Sequence, residues 1–370
     1  MVGFVVDPPS VAGLGRLVSR NGEAIGVFVQ ELEYRRPEGY QEGLLGLLNE
    51  PLNQVQRVGE ANTRHGADLA GASGAEFKKL AEYYVRVDRA TAVELDGKYP
   101  GATPTRIDKD DVVAPDATFD EGRDPASDPA NPSKPYPGVP KEPDEKAVAE
   151  GWPVDMEQQL DELLGRCSVA QHVRDLMRAL TNRDVFDELT RLVGGDWSNL
   201  YRQGQAFEDT AYAYSIVKEN VDRGRYLVQD KWDGNAANAA ETFLAEYSAA
   251  CQGHVEFMTE VAGQIKKFAS AAYHAVSALT ILLDTLLDTL VDLLTYDAGS
   301  FIGGAISILR GQNPLHVIVS VMFSVSQIST VIDAVRAAAH VVVSGLQVLV
   351  GNGEVVAKLW PCMPYDHAAV

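Results

Sequence analysis

From Asn235 the chain runs to Pro314 without a proline, and its apolar residues recur at helical spacing. Ala236, Ala240, Phe243, Tyr247, Cys251, Met258, Val261, Ile265, Phe268 and Ala272 share one face. Roughly sixty helical residues span about 90 Å. A helix that long is a rod, and its apolar stripe is buried only against other long helices.

Other stretches repeat the pattern. Residues 10–35 carry Val11, Leu14, Val18, Ile25, Phe28 and Leu32 at spacings of three, four or seven, with Ser10 as the candidate N-cap behind Pro8 and Pro9. A short apolar piece around Leu44–Leu48 follows, and Pro51 suits the first turn of a second helix running to about residue 92. That helix is rich in Gly and Ala near its centre, which lowers helix propensity but lets a partner backbone approach closely. Helical patterning returns at 154–180 and 183–193. Gly194-Gly195 breaks it, and Asp196 is placed to cap a helix whose inner face holds Trp197, Leu200, Gly204, Phe207, Ala211, Tyr214 and Val221.

Residues 96–150 differ. Ten of the 18 prolines fall between Pro100 and Pro143 among Asp, Glu, Lys and Ser, without periodicity. The composition predicts a disordered or extended linker. Four parts result: a two-helix unit at 1–95, the acidic Pro-rich linker at 96–150, a helical hairpin unit at 151–295, and an apolar helical tail at 296–370. The predicted fold is all-α, an elongated antiparallel bundle of the helices at 10–35, 51–92, 196–230 and 235–294.

A formal net charge of −20 repels nucleic acid and anionic headgroups, so nucleic acid is not an expected partner. Cys167, Cys251 and Cys362 form no CxxC pair, which removes zinc-ribbon and thioredoxin-like readings. Cys251 sits on the apolar stripe as a small hydrophobe; Cys362 is an incidental thiol or one half of an intermolecular disulfide. Asp284, Asp288 and Asp292 share a helix face within a Leu-rich stretch. Each charge at a bilayer centre costs about 2.5–3.5 kcal/mol, so this stretch reads as an amphipathic helix with a wet acidic stripe. Residues 315–350 are more apolar and read as a buried helical hairpin; residues 296–350 hold the most lipid-compatible surface.

No nucleophile elbow, phosphate loop, dinucleotide fingerprint or paired metal-binding histidines occur. His254 and His274 stand alone on the long helix. No catalytic residue, metal site or cofactor is expected, and the chain does not read as an enzyme. The first nine residues have no basic region and no cleavable apolar core, so they do not read as a secretory signal peptide.

Two short motifs remain. Trp232-Asp233-Gly234 lies between two helical stretches, where glycine supplies a backbone conformation that turns need. Tyr84 and Asp88 stand four residues apart near a helix end, on one face. Trp-x-Gly between two helices, with Tyr-x-x-x-Asp closing a third, resembles the WXG-type superfamily of actinobacterial type VII (ESX) secretion substrates. The order of parts is similar to the fused PE–PPE-like, EspB-like and EspA/EspC-like secretion-associated proteins. The resemblance covers roughly residues 8–95 and 183–290. It implies that Trp232 and Gly234 form the family's turn and that Tyr84 and Asp88 form its export signal. It also implies partners in the secretion ATPase or a chaperone, a cytoplasmic stage before export, and a secreted or cell-surface destination with links to virulence or toxins. The leading expectation is a non-enzymatic, structural, self-associating or membrane-facing component, possible homo-oligomers included. The alternatives are the trafficking portion of a toxin whose activity lies in the tail, and a cytoplasmic helical adaptor.

Overall fold

The computed structural model describes residues 5–36, 43–87, 91, 94, 96–97, 106–128, 131–138, 155–167, 174–175, 178–179, 182, 184–295, 315–361 and 363–366. The protein is all-α. Its principal helices are α1 (Pro8–Tyr34), α2 (Gly43–Arg86), α3 (Met156–Cys167), α4 (Val185–Val193), α5 (Trp197–Val228), α6 (Asn235–Thr295) and α7 (Leu315–Ala357). Among the described residues four short strands add little length: β1 (Val5–Val6), β2 (Ser127–Asp128), β3 (Asn131–Pro135) and β4 (Trp232–Asp233).

α1 and α2 form one antiparallel hairpin whose backbones nearly touch. A Cβ on Gly15 would stand 2.8 Å from the carbonyl oxygen of Gly74, and one on Gly22 would stand 2.9 Å from that of Ala67. The small residues at the centre of α2 therefore serve as predicted: what they lose in helix propensity they return as close packing. α5 and α6 form the second hairpin, with Asp196 capping α5 by accepting from the Asn199 amide at 2.8 Å. The two hairpins meet across a buried polar seam. Asn220 Nδ2 donates to Asn21 Oδ1 at 2.9 Å, and Gln203 Nε2 to Gln56 Oε1 at 3.0 Å.

Several local expectations are corrected. α2 starts at Gly43, with Pro51 inside it rather than in its first turn. Leu44, Leu45, Leu48, Leu52 and Val55 form one buried stripe, and that burial carries the helix through the proline. α1 is capped from Asp7 rather than Ser10, with prolines in its first turn, and the Ser10 hydroxyl instead donates to the Asp7 carboxylate. The expected hairpin at 315–350 is one 43-residue helix. It packs between α6 and α2, and α4 reaches it through a Glu188–Arg336 contact at 3.4 Å. The aspartate stripe divides: Asp288 is exposed, Asp284 is held by Arg166 of α3, and the side chain of Asp292 lies outside the described residues.

The Pro-rich segment is corrected over residues 106–128 and 131–138, which lie against the bundle rather than apart from it. A Cβ on Gly13 would overlap the Phe119 ring. Tyr136 packs on Phe28 with ring centroids 4.7 Å apart and donates to Asp209 at 3.1 Å. Arg123 pairs with Glu219 at 2.9 Å, and its carbonyl accepts from Asn220 at 2.7 Å. A few aromatic and polar anchors hold a segment that has no helical periodicity. The part at 139–154 lies outside the described residues.

The C-terminal end of α7 runs into the core. Asn62 donates to the Gly353 carbonyl at 3.0 Å. Trp360 lies against Gly66, 4.7 Å from the His254 ring and 4.9 Å from Tyr247. His254 is fully buried, neither ring nitrogen has a hydrogen-bond partner among the described residues, and it also stacks on Tyr214 at 5.1 Å. Burial, with a smaller contribution from His65, pushes the His254 imidazole down from its ordinary 6.5 to about 3. The unfolded chain therefore binds a proton between these values that the folded chain refuses, and stability falls as pH drops through that window. Urea denaturation at pH 7.5 and pH 4.5 should show a loss of stability for the parent that is markedly reduced in His254→Phe. An equal loss in both proteins would assign the acid sensitivity to other groups.

Candidate functional site

The two sequence motifs meet in space. Tyr84, near the end of α2, and Trp232, before α6, stand in an edge-to-face contact with ring centroids 6.4 Å apart. Phe77 meets the same indole at 6.3 Å. Both motif side chains are buried, Tyr84 to 7% exposure and Trp232 to 3%. Asp88, the other half of the tyrosine motif, lies outside the described residues.

The turn is not a bare helix–helix corner. Trp232-Asp233 forms β4, which pairs antiparallel with β1 through Val6 opposite Trp232 and Val5 opposite Asp233. The Asp7 amide extends the ladder by donating to the Lys231 carbonyl at 2.8 Å. Gly234 has φ +128°, a conformation side chains rarely tolerate, as its place in the turn predicts.

A residue that sequence reading left in the linker completes the corner. The Asp96 carboxylate accepts from the amides of Asn235 at 2.9 Å and Ala236 at 2.8 Å, while its carbonyl accepts from Asn235 Nδ2 at 3.1 Å. It caps α6 from 139 positions away. A helix opening with Gly-Asn-Ala has no N-cap side chain at glycine, and a carboxylate there also meets the positive end of the helix dipole. That missing cap was the available signal, although nothing in the sequence pointed to Asp96 as its source. A Cβ on Gly234 would lie 2.7 Å from Asp96 Oδ1, so the cap and the glycine require one another.

Tyr365 closes the far side. It stacks on Phe77 at 4.6 Å, its amide donates to Ser73 Oγ at 3.0 Å, and its hydroxyl donates to the Ala236 carbonyl at 3.3 Å. Segments near residues 6, 84, 96, 232 and 365 thus converge on one turn.

The groups gathered here are buried aromatic rings and backbone amides already bonded to Asp96, an arrangement that packs and caps the corner. Among the described residues no three His, Cys, Asp or Glu side chains stand together as metal ligands. Cys251 is fully buried, and that burial drives its thiol well above the ordinary range, which keeps it un-ionised and inert. No protein-family model matches the chain, and no curated protein or solved structure matches it significantly.

Replacing Asp96 by Ala should cost about 0.5–2 kcal/mol, the range of a lost N-cap. Gly234→Ala should cost more, because it strains the backbone and displaces the Asp96 carboxylate. In the Asp96→Ala background the collision is gone, so the Gly234→Ala penalty should shrink. Urea melts of the two single variants and the double variant measure this coupling; strict additivity would contradict the contact.

Proposed function

We propose that the chain is a non-enzymatic substrate of a type VII secretion system that is exported folded and acts outside the cytoplasm as a structural, self-associating or membrane-facing component. The observation that carries this reading is the ring contact between Tyr84, from the motif that the resemblance implies is the export signal, and Trp232, from the motif that it implies is the family's turn. Neither motif is specific alone. Their meeting at one corner makes a composite feature present only in the docked chain, which a secretion ATPase or chaperone would use to select folded substrate.

Export into culture filtrate, and its loss when the system's ATPase is inactivated, tests the reading. Tyr84→Ala and Trp232→Ala should each stop export. Truncating a buried aromatic costs about 3–5 kcal/mol, so export is compared per unit of folded, soluble protein. Tyr84→Phe keeps the ring and should keep the fold. Export of Trp232→Ala at parental level, with Tyr84→Ala retained, would sink the composite signal. Export of both would sink the secretion reading itself.

The membrane-facing role is supported by α7. Val319, Met322, Phe323, Val341 and Val348 are exposed on this helix, and the stretch Val319–Ala357 has the length and apolar composition of a membrane span. Exposed apolar surface of this extent marks interaction sites. Because Trp360 and Tyr365 are in the core, removing the tail would strip the bundle, and point charges give the cleaner test. The double substitution Phe323→Asp and Val348→Asp should leave melting unchanged and abolish flotation with phosphatidylcholine vesicles. Unchanged flotation would remove α7 as the lipid contact.

A further inference from the structure

α7 is apolar on two sides. Ile328, Ile332, Ala339 and Leu346 are buried where the helix meets α6 and α2. The outer side carries Val319, Phe323, Thr330, Ala337, Val341, Val348 and Val355, all exposed, at spacings of four and seven. From Val319 to Val355 this outer stripe is about 54 Å long and, at the width of one helix, ~10–12 Å wide. Two copies joined along it bury about 1,100–1,300 Å² in all, above the ~1,000 Å² that a specific interface clears.

The stripe has a projection towards one end and a recess towards the other. Phe323, 62% exposed, stands out in the first half of α7. In the second half an open groove of about 380 Å³ lies between α6 and α7, lined on α7 by Leu349, Asn352 and Val355 and on α6 by the buried Phe257. That volume is more than ten times the ~30 Å³ share of one water, which is room for an aromatic ring. Glu256 and Glu260 stand at its α6 rim, but Gln252 donates to Glu256 at 3.0 Å and Gln264 to Glu260 at 2.7 Å. The rim carboxylates thus have partners in their own chain. Phe323 and Asn352 are about 44 Å apart along one continuous helix, so a chain cannot seat its own ring in its own groove.

We propose that α7 pairs antiparallel with α7 of a second copy, the Phe323 ring of each chain seated in the groove of the other. Such a pair has a two-fold axis, and every contact occurs twice. Placing position 323 at the height of position 352 puts the axis midway, at Ala337-Ala338, where small side chains let two backbones approach. The same register lays Val319 of one copy on Val355 of the other and brings Asp333 of each beside His340 of the other, a carboxylate next to an imidazole. Each copy carries a net charge of −20, so repulsion opposes pairing at low salt and screening strengthens it. The proposal deepens the self-associating part of the reading above by naming its surface. It is independent of export: a monomeric parent leaves the export test untouched, and loss of export leaves the dimer untouched. Vesicles reach the same stripe only by displacing the second copy.

Sedimentation equilibrium of the full chain over a hundredfold range of concentration tests the pairing. The expected mass is twice the 40.0 kDa of one chain, with tighter association at higher salt. Phe323→Ala removes the projection and Asn352→Trp fills the groove; each should weaken the dimer at least tenfold. Mixed together, the two variants should pair again, because one keeps the ring and the other keeps an open groove. In a Cys167→Ser, Cys362→Ser background only the buried Cys251 is left. There Ala337→Cys should form an intermolecular disulfide at the axis, whereas Ser326→Cys should not, since its mate lies about 35 Å away. A monomer at every concentration would overturn the proposal, and one that also floats with phosphatidylcholine vesicles would assign the stripe to lipid instead. So would a dimer as tight as the parent's in both Phe323→Ala and Asn352→Trp, or cross-linking through Ser326→Cys in preference to Ala337→Cys. Ala337 and Ser326 are exposed, so the cross-linking comparison decides even if Asn352→Trp misfolds.

Discussion

A 61-residue helix that opens at a glycine leaves its first amides without a local acceptor. The rest of the architecture is organised around satisfying that end. Asp96 supplies the carboxylate, β1 supplies the partner strand for the two residues before it, and Tyr365 takes the Ala236 carbonyl. Each contact ties a distant segment to the same turn. Once they are in place, α2 has to run past the turn with Phe77 and Tyr84 toward the indole. The two hairpins are thereby held in register at their shared end.

A second constraint holds the register along their length. Arg225 bridges Asp222 at 3.0 Å and Glu241 at 2.6 Å, and Ser248 donates to Asp222 at 2.7 Å, all close to fully buried. Burial pushes the Glu241 carboxyl up even with Arg225 beside it, which measures how dry this position is. Buried ion pairs contribute little net stability compared with apolar packing. Their effect here is on alternatives: sliding α6 along α5 by one turn would part Glu241 from Arg225 and Ser248 from Asp222, leaving the Glu241 carboxylate without its cation. The Asn21–Asn220 and Gln56–Gln203 bonds act in the same way between the hairpins.

What was legible in the sequence follows from the range of the forces involved. Periodicity reports burial along one helix, and the stripes of α1, α5 and α6 came out with their inner faces right, from Leu14 and Phe28 to Cys251 and Phe268. Gly234 and Asp196 also acted as their local chemistry predicts. All but one of the failures are long-range, the exception being the start of α1, where Asp7 and not Ser10 is the N-cap. Pro51 was read as a helix start because propensity is local, whereas the burial that overrides it comes from packing. Asp96, Phe119 and Tyr136 sit in a stretch whose composition reads as a spacer, and only their partners reveal them as anchors. The α7 tail was read as two helices because nothing in its sequence shows the surface of α6 and α2 on which a single helix rests. For the candidate site, Tyr84 and Trp232 were legible as motif residues; the capping carboxylate and the covering Tyr365 were not.

The place of Tyr365 against Phe77 and Ala236 also has a meaning in time. Chains emerge from the ribosome at roughly 5–20 residues per second. The 70 residues separating Thr295, where α6 ends, from Tyr365 therefore take on the order of 4–14 s to synthesise at that pace. Throughout this interval both long hairpins can have docked while the face of Phe77 that Tyr365 covers stays open to water. The nascent molecule thus passes through a stage with an uncovered aromatic at its most organised corner, a stage at which a cytoplasmic binding protein could distinguish chains still being made from finished ones.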